Sequence, residues 1–217
     1  MFFYDRFIHI PANATGFTGI RCPVPEAITI VSASSHYHQR GTGMRVWNDE
    51  ADSPAATPFF ETDDWEHPVD FHGPLSVRAG SSLRVQCEYA NDDSTEVFEG
   101  PNAKTSEMCV FGGLYYPRRT SSFDVCSPPS ILGNGAEACS ALTTCVKPCP
   151  AGDGPTGACW QRCISRGCTG AADALITLSG CAQQQCRSEC SSGNCEPCLL
   201  ERCTADFQAC SAQKCGP

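Results

Sequence analysis

Apolar and polar residues alternate through much of the first 126 positions. Across Pro74–Tyr89, Leu75 and Val77 and then Leu83 and Val85 recur at every second residue, either side of a Gly-containing stretch at 78–82. Period-2 alternation turns those four side chains inward and predicts a β-hairpin. Ile28–Val31 and Met44–Trp47 are short strand-like runs bounded by Pro and Gly. Met108–Tyr116 predicts a central strand. The stretch 48–68 is acidic and Pro-rich (Asp49, Glu50, Asp52, Pro54, Pro58, Asp63, Asp64) and predicts a long surface loop. Short strands joined by loops indicate a mainly β unit, a jelly-roll-like β-sandwich.

Past Cys126 the pattern changes. Ser127–Ser130 and Gly133–Gly135 are rich in Pro and Gly and predict a linker over 127–135, between a β domain at 1–126 and a second domain at 136–217. The second part carries fourteen of the chain's 18 cysteines and no histidine. Thirteen of them fall into two loosely repeated units sharing Cys186: Cys145, Cys149, Cys159, Cys163, Cys168, Cys181, Cys186, and then Cys186, Cys190, Cys195, Cys198, Cys203, Cys210, Cys215. Spacings of three to five residues set cysteines near one helical face. This predicts a small disulfide-rich α-hairpin domain with up to seven disulfides, whose connectivity the spacing leaves open.

Three roles suit that tail. It buries few large apolar groups, so disulfides stabilise it, at about 2–4 kcal/mol each. Reduced thiolates would bind Cu(I), but the runs are short and the compartment oxidising. Cys195 and Cys198 form a CxxC pair, a weak redox signal outside a βαβ context. The default is a stapled module serving adhesion or substrate docking.

Charge narrows the classes. The net charge is −9, and residues 1–126 hold 17 acids against 9 bases. Without a basic cluster, nucleic acid and anionic membranes are poor partners. No apolar run reaches the roughly 18 residues of a membrane-spanning helix. An even, dense set of cysteines implies an extracytoplasmic site: secreted, periplasmic or at the cell surface. Residues 1–7 do not read as a signal peptide, so the expectation is that the chain is the C-terminal part of a longer exported precursor or has a misplaced start.

Candidate chemistry sits at His36-Tyr37-His38 and Met108. Histidines at i and i+2 of a strand share a face, so their imidazoles can converge. A thioether from another strand completes an N,N,S set that suits copper over zinc, magnesium or calcium. His67 and His72, beside Pro68 and Phe71, are a weaker second grouping. His9 lies on an early strand. Asn13-Ala14-Thr15 is a glycosylation sequon, relevant only in a eukaryotic secretory pathway.

Residues 7–117 resemble the C-terminal catalytic domain of the copper type II, ascorbate-dependent monooxygenases, the family of dopamine β-hydroxylase and the peptidylglycine α-hydroxylating enzymes. The resemblance runs through Ile30–His38, Phe71, Pro74–Gly80, Leu83–Tyr89 and, most specifically, Glu107-Met108-Cys109 followed by Tyr115-Tyr116-Pro117. It implies that His36, His38 and Met108 hold the copper at which oxygen is activated. It also implies the disulfides Cys87–Cys109 and Cys22–Cys126. The Arg, Asn and Tyr with which the peptide-amidating members hold a carboxylate are replaced by Ser34, Val110 and Gly112, so peptide amidation is not expected.

Family enzymes carry a preceding domain with a second, electron-relaying copper, and nothing upstream of Phe7 would hold one. The expected partners are thus a small-molecule substrate, O2, a reductant such as ascorbate, and an N-terminal copper domain in a longer precursor or a separate chain. The leading reading is C–H hydroxylation at one copper. The alternative is a copper-binding, non-catalytic extracellular domain with a disulfide-rich interaction tail, and a third reading is purely structural.

Overall fold

The computed structural model describes residues 1–51, 53–118, 124–126, 130–150 and 152–216. Part of the predicted linker, 127–129, and the acidic-loop residue Asp52 lie outside them. The chain divides into two compact units, Met1–Ser130 and Ile131–Pro217.

The first unit is an antiparallel β-sandwich. One sheet has the order β1-β10-β4-β7, from β1 (Phe2–Tyr4), β10 (Cys109–Tyr116), β4 (Ile28–Tyr37) and β7 (Asp70–Val77). The other runs β3-β8-β5-β6 within this unit, from β3 (Ala14–Pro23), β8 (Ser82–Asn91), β5 (Gly41–Asp49) and β6 (Phe60–Thr62). A separate ladder pairs β2 (His9–Ile10) with β9 (Val97–Phe98), and the short β11 (Ser130–Ile131) straddles the boundary between the units. Between the sheets lies one apolar core that includes Phe3, Ile20, Ile30, Val46, Leu83, Val85 and Phe111. Its burial is what holds the two sheets together.

Two disulfides reinforce this unit, the same pairs that the resemblance implies. Cys87 of β8 is bonded to Cys109 of β10, which crosslinks the sheets beside the core, and Cys22 is bonded to Cys126.

The structure corrects the predicted hairpin at 74–89. Leu75, Val77, Leu83 and Val85 do turn inward, but β7 pairs with β4 in one sheet and β8 with β3 and β5 in the other. The segment at 78–81 therefore crosses from sheet to sheet. Alternation records that one face of each strand is buried, and either connection satisfies it. The predicted loop at 48–68 also contains a strand: β6 pairs with β5, and Phe60 packs in the core against Phe111, with ring centroids 5.3 Å apart.

β4 changes phase partway along. Ile28 and Ile30 face the core, and then Ala33, Ser35 and Tyr37 do. The register with β10 runs Ile30↔Tyr115 and then Ser32↔Leu114, which leaves Val31 as the extra residue of a β-bulge. Without it, Ser32, Ser34 and His36 would continue the inward set of Ile28 and Ile30. With it, His36 points outward. Glycines on both flanking strands accept the distortion: a Cβ on Gly73 would stand 2.2 Å from the Ile30 carbonyl oxygen, and one on Gly113 2.2 Å from that of Ser32.

The second unit is helical: α1 (Cys139–Val146), α2 (Ala158–Ile164), α3 (Thr169–Gln185), α4 (Arg187–Ser191), α5 (Cys195–Arg202) and α6 (Thr204–Ala212). Cys145–Cys163 and Cys149–Cys159 form a nested pair joining α1 and the turn after it to α2. Cys181–Cys203, Cys186–Cys198 and Cys190–Cys195 nest likewise, as three rungs between α3–α4 and α5. Cysteines four or five residues apart on one helix meet a reversed set on the next, which is why the bonds nest. Cys139–Cys210 and Cys168–Cys215 then tie the start of the unit to its end. The bonding does not follow two repeats that share Cys186, because Cys168–Cys215 and Cys181–Cys203 each join a cysteine of the first set to one of the second. Its small apolar core uses Leu142, Ile164, Ala171, Ala172, Leu175 and Leu178.

Candidate metal centre

A pocket of about 560 Å³ opens at the end of β4 and is lined by His36, Tyr37, His38, Trp65, Glu66, Pro68, Pro101, Ala103 and Met108. Three segments build it. The last is a turn organised by Asn102, whose side-chain oxygen accepts from the Lys104 N–H at 2.9 Å and whose carbonyl accepts from the Thr105 and Ser106 N–H groups at 3.1 and 2.8 Å. Asp64 does the same in the segment that contributes Trp65 and Glu66, accepting from the Glu66 and His67 N–H groups at 2.9 Å each.

His36 lies near the end of β4, and His38 is the first residue beyond it. Their rings meet edge to face, 5.2 Å apart. His38 is buried and its Nδ1 lies 2.8 Å from the Ser106 carbonyl oxygen. A carbonyl only accepts, so Nδ1 carries the proton in this contact and Nε2 is the ring nitrogen left for another partner. Burial, and then the neighbouring His38, lower the pKa of His36. That favours the neutral imidazole, the form that ligates metals. Met108 immediately precedes β10, and its carbonyl accepts from the Tyr89 hydroxyl at 2.8 Å. Burial, and then the Glu107 and Asp5 carboxylates, hold the Tyr89 pKa well above its usual value, so this hydroxyl stays a donor.

Two imidazoles and a thioether, from two neighbouring strand ends, thus line one pocket. The other three histidines are not in the lining of this pocket. His9 lies 2.9 Å from Glu96 and stacks on Phe98, and His67 lies 3.2 Å from Asp64. His72 is exposed on β7. Among the described residues, no three His, Cys, Asp or Glu side chains converge as a metal site. Met108 is the sulfur-bearing residue in the lining of this pocket.

The model of the copper type II ascorbate-dependent monooxygenase C-terminal domain matches residues 9–131. The chain belongs to this family. Its copper monooxygenase domain accounts for the β-sandwich, and the family's chemistry is copper-dependent. No curated protein matches the chain.

Two residues of the pocket lining and one that is bonded to it were not singled out in the sequence. Trp65 and Glu66 sit in the stretch predicted as a plain surface loop, yet they wall this copper monooxygenase domain's pocket. Glu107 belongs to the motif shared with the family, but its burial was not legible. Its side chain is 0% exposed, and it accepts from the His38 N–H and from the Arg40 N–H at 3.0 Å each, one on each oxygen. Burial raises the Glu107 pKa, with the Arg40 N–H, the His38 ring and N–H, and the Arg40 guanidinium pulling against it. An Asp or Glu between an HxH pair and a methionine is visible in a sequence, but nothing in its spacing says that it faces inward.

Proposed function

We propose that the first unit is the oxygen-activating half of a copper monooxygenase, with His36, His38 and Met108 as the ligands of one copper. The observation that carries this reading is that two imidazoles and one thioether line a single pocket, with the buried His38 held at Nδ1 by a backbone carbonyl. Such a carbonyl partner fixes ring orientation and tautomer and raises ligand basicity. A nitrogen–sulfur donor set without carboxylates favours copper over hard cations.

When bound, copper supplies activation of O2 for hydroxylation of a substrate C–H bond, with one oxygen atom entering the substrate and the other leaving as water. The two electrons come from a reductant such as ascorbate. The chain's own residues present ligands and shape the space around them. Ser106 and Glu107 hold the His38 ring and backbone, Tyr89 holds the Met108 backbone, and Trp65, Pro68, Pro101 and Ala103 offer apolar walls for the substrate. Among the described residues the pocket lining contains no Lys or Arg, so a substrate carboxylate would lack charge-assisted bonds from them. A small molecule without a carboxylate at the reacting end fits better than a peptide C-terminus.

A copper held here would take its electrons from a second copper domain, in a longer precursor or on a separate chain, or directly from the reductant. The eighteen cysteines, all paired, support an extracytoplasmic setting. Among the described residues no helix is long and apolar enough to cross a membrane.

The test is ascorbate-dependent oxygen uptake by the copper-loaded chain, with isotope-labelled O2 traced into product across a panel of small molecules, alone and with a second copper domain added. Labelled hydroxyl product that disappears in His36→Ala supports the enzyme. Bound copper with no uptake under any of these conditions would make it a copper-binding domain without turnover.

A further inference from the structure

The ladder between β4 and β10 ends at Tyr37↔Cys109. The residues just beyond it, His38 and Met108, are the ones whose spacing matters to the proposed copper centre, and no sheet hydrogen bonds hold them. Glu107 takes over at that point. Its main chain is tied on the far side, with Glu107 N–H donating to the Phe98 carbonyl at 2.9 Å and Gly100 N–H to the Glu107 carbonyl at 3.1 Å. Its carboxylate then reaches across and accepts from the His38 and Arg40 N–H groups, with the Arg40 guanidinium 3.7 Å from the same oxygen that Arg40 N–H uses. Arg40 in turn donates to the Lys104 carbonyl at 2.9 Å, which closes the connection back to the turn before Glu107.

We propose that Glu107 is a positioning residue that sets the His38 backbone relative to Met108 and so fixes the nitrogen–sulfur geometry of the centre. This rests on the ligand set of the preceding section. Ser106 sets the His38 ring, while Glu107 sets the chain that carries it. The chemistry asks for a carboxylate in particular. Two N–H groups point at two different oxygens, and a carboxylate accepts from both. A glutamine of the same shape accepts from one and turns an NH2 donor toward the other, leaving a buried donor unmet. Aspartate keeps the charge but shortens the reach by one methylene.

The experiment uses the full chain with Glu107→Gln and Glu107→Asp, both compared with the wild type. In copper-free protein, amide hydrogen exchange at His38 and Arg40 reports the clamp directly. In copper-loaded protein, the dissociation constant and the sulfur contribution to the Cu(I) X-ray absorption spectrum report the ligand geometry. The expected result is faster exchange at both amides, copper affinity weaker by about 10–100-fold, and a reduced sulfur contribution. Glu107→Asp should fall between the wild type and Glu107→Gln.

Variants that lose amide protection yet hold copper with wild-type affinity and an unchanged sulfur signal would overturn the proposal, leaving Glu107 a merely structural group. A wild-type chain that takes up no copper would instead overturn the ligand assignment itself, and this inference with it. The exchange data keep the two failures apart.

Discussion

Gly113 of β10 lies against the Ser32 carbonyl of β4, so close that a Cβ on Gly113 would stand 2.2 Å from that oxygen. The contact sits directly beside the bulged residue Val31, which turns His36 out of the core and toward the pocket. The bulge and the small residue facing it are therefore one feature.

Gly113→Ala should push the two strands apart at the bulge. The expected cost is about 1–3 kcal/mol, as for other overpacked sites, read as a lower denaturant midpoint. The substitution should also weaken metal uptake, because His36 lies on the same strand four residues beyond Ser32. An unchanged midpoint would mean that the bulge tolerates the methyl and that the close approach does not govern it.

Asp49 carries a pH signature. Burial works against its charge, but the Arg84 guanidinium at 2.9 Å, the Ala55 N–H at 2.9 Å and Arg21 at 3.3 Å outweigh it and hold the pKa below the usual carboxylate value. A folded-state pKa below the unfolded one adds stability at pH above the unfolded value of about 3.9. That stability is lost as pH falls through the folded pKa. Asp49→Asn should thus melt below the wild type near neutral pH, with the gap closing below about pH 4. A gap that stays constant with pH would contradict the assignment.

The tail's disulfides should differ in worth. Cys139–Cys210 spans 71 residues and Cys190–Cys195 only 5. Loop-closure entropy gives about 4 kcal/mol for the first and about 2 kcal/mol for the second. Removing both cysteines of the long-range pair should therefore destabilise the unit more than removing both of the short one. The opposite order would show that strain or residual unfolded structure outweighs chain entropy here.

Cys195 and Cys198 should not behave as a redox pair. Cys195 is bonded to Cys190 and Cys198 to Cys186, and every cysteine is in a disulfide. Alkylation without a reductant should add no label, and a non-reduced peptide map should contain those two crosslinks. Labelling at either cysteine would reopen the thiol roles considered for the tail.

The fold class was legible because inward residues such as Leu83 and Val85 repeat with period 2, while the cysteines past residue 126 repeat with helical spacing. That His36, His38 and Met108 come together was legible because they stand in a recognisable motif, and they line one pocket. What stayed hidden depends on contacts between distant segments. Nothing in Ile30-Val31-Ser32 announces the extra residue that reverses the phase of β4, since the Gly73 and Gly113 that permit it lie on other strands. The crossover between β7 and β8 shares its alternation with a hairpin. The inward turn of Glu107 follows from the backbone N–H groups of His38 and Arg40, and no spacing rule reports those. The tail's connectivity was open for the same reason: nesting depends on which helices lie antiparallel.

The most direct test of the central claim is copper bound per chain after reconstitution, measured alongside Met108→Ala. The account predicts one copper per chain, held less tightly when the thioether is removed. No copper in the wild type, or equal affinity in Met108→Ala, would contradict a centre built from His36, His38 and Met108.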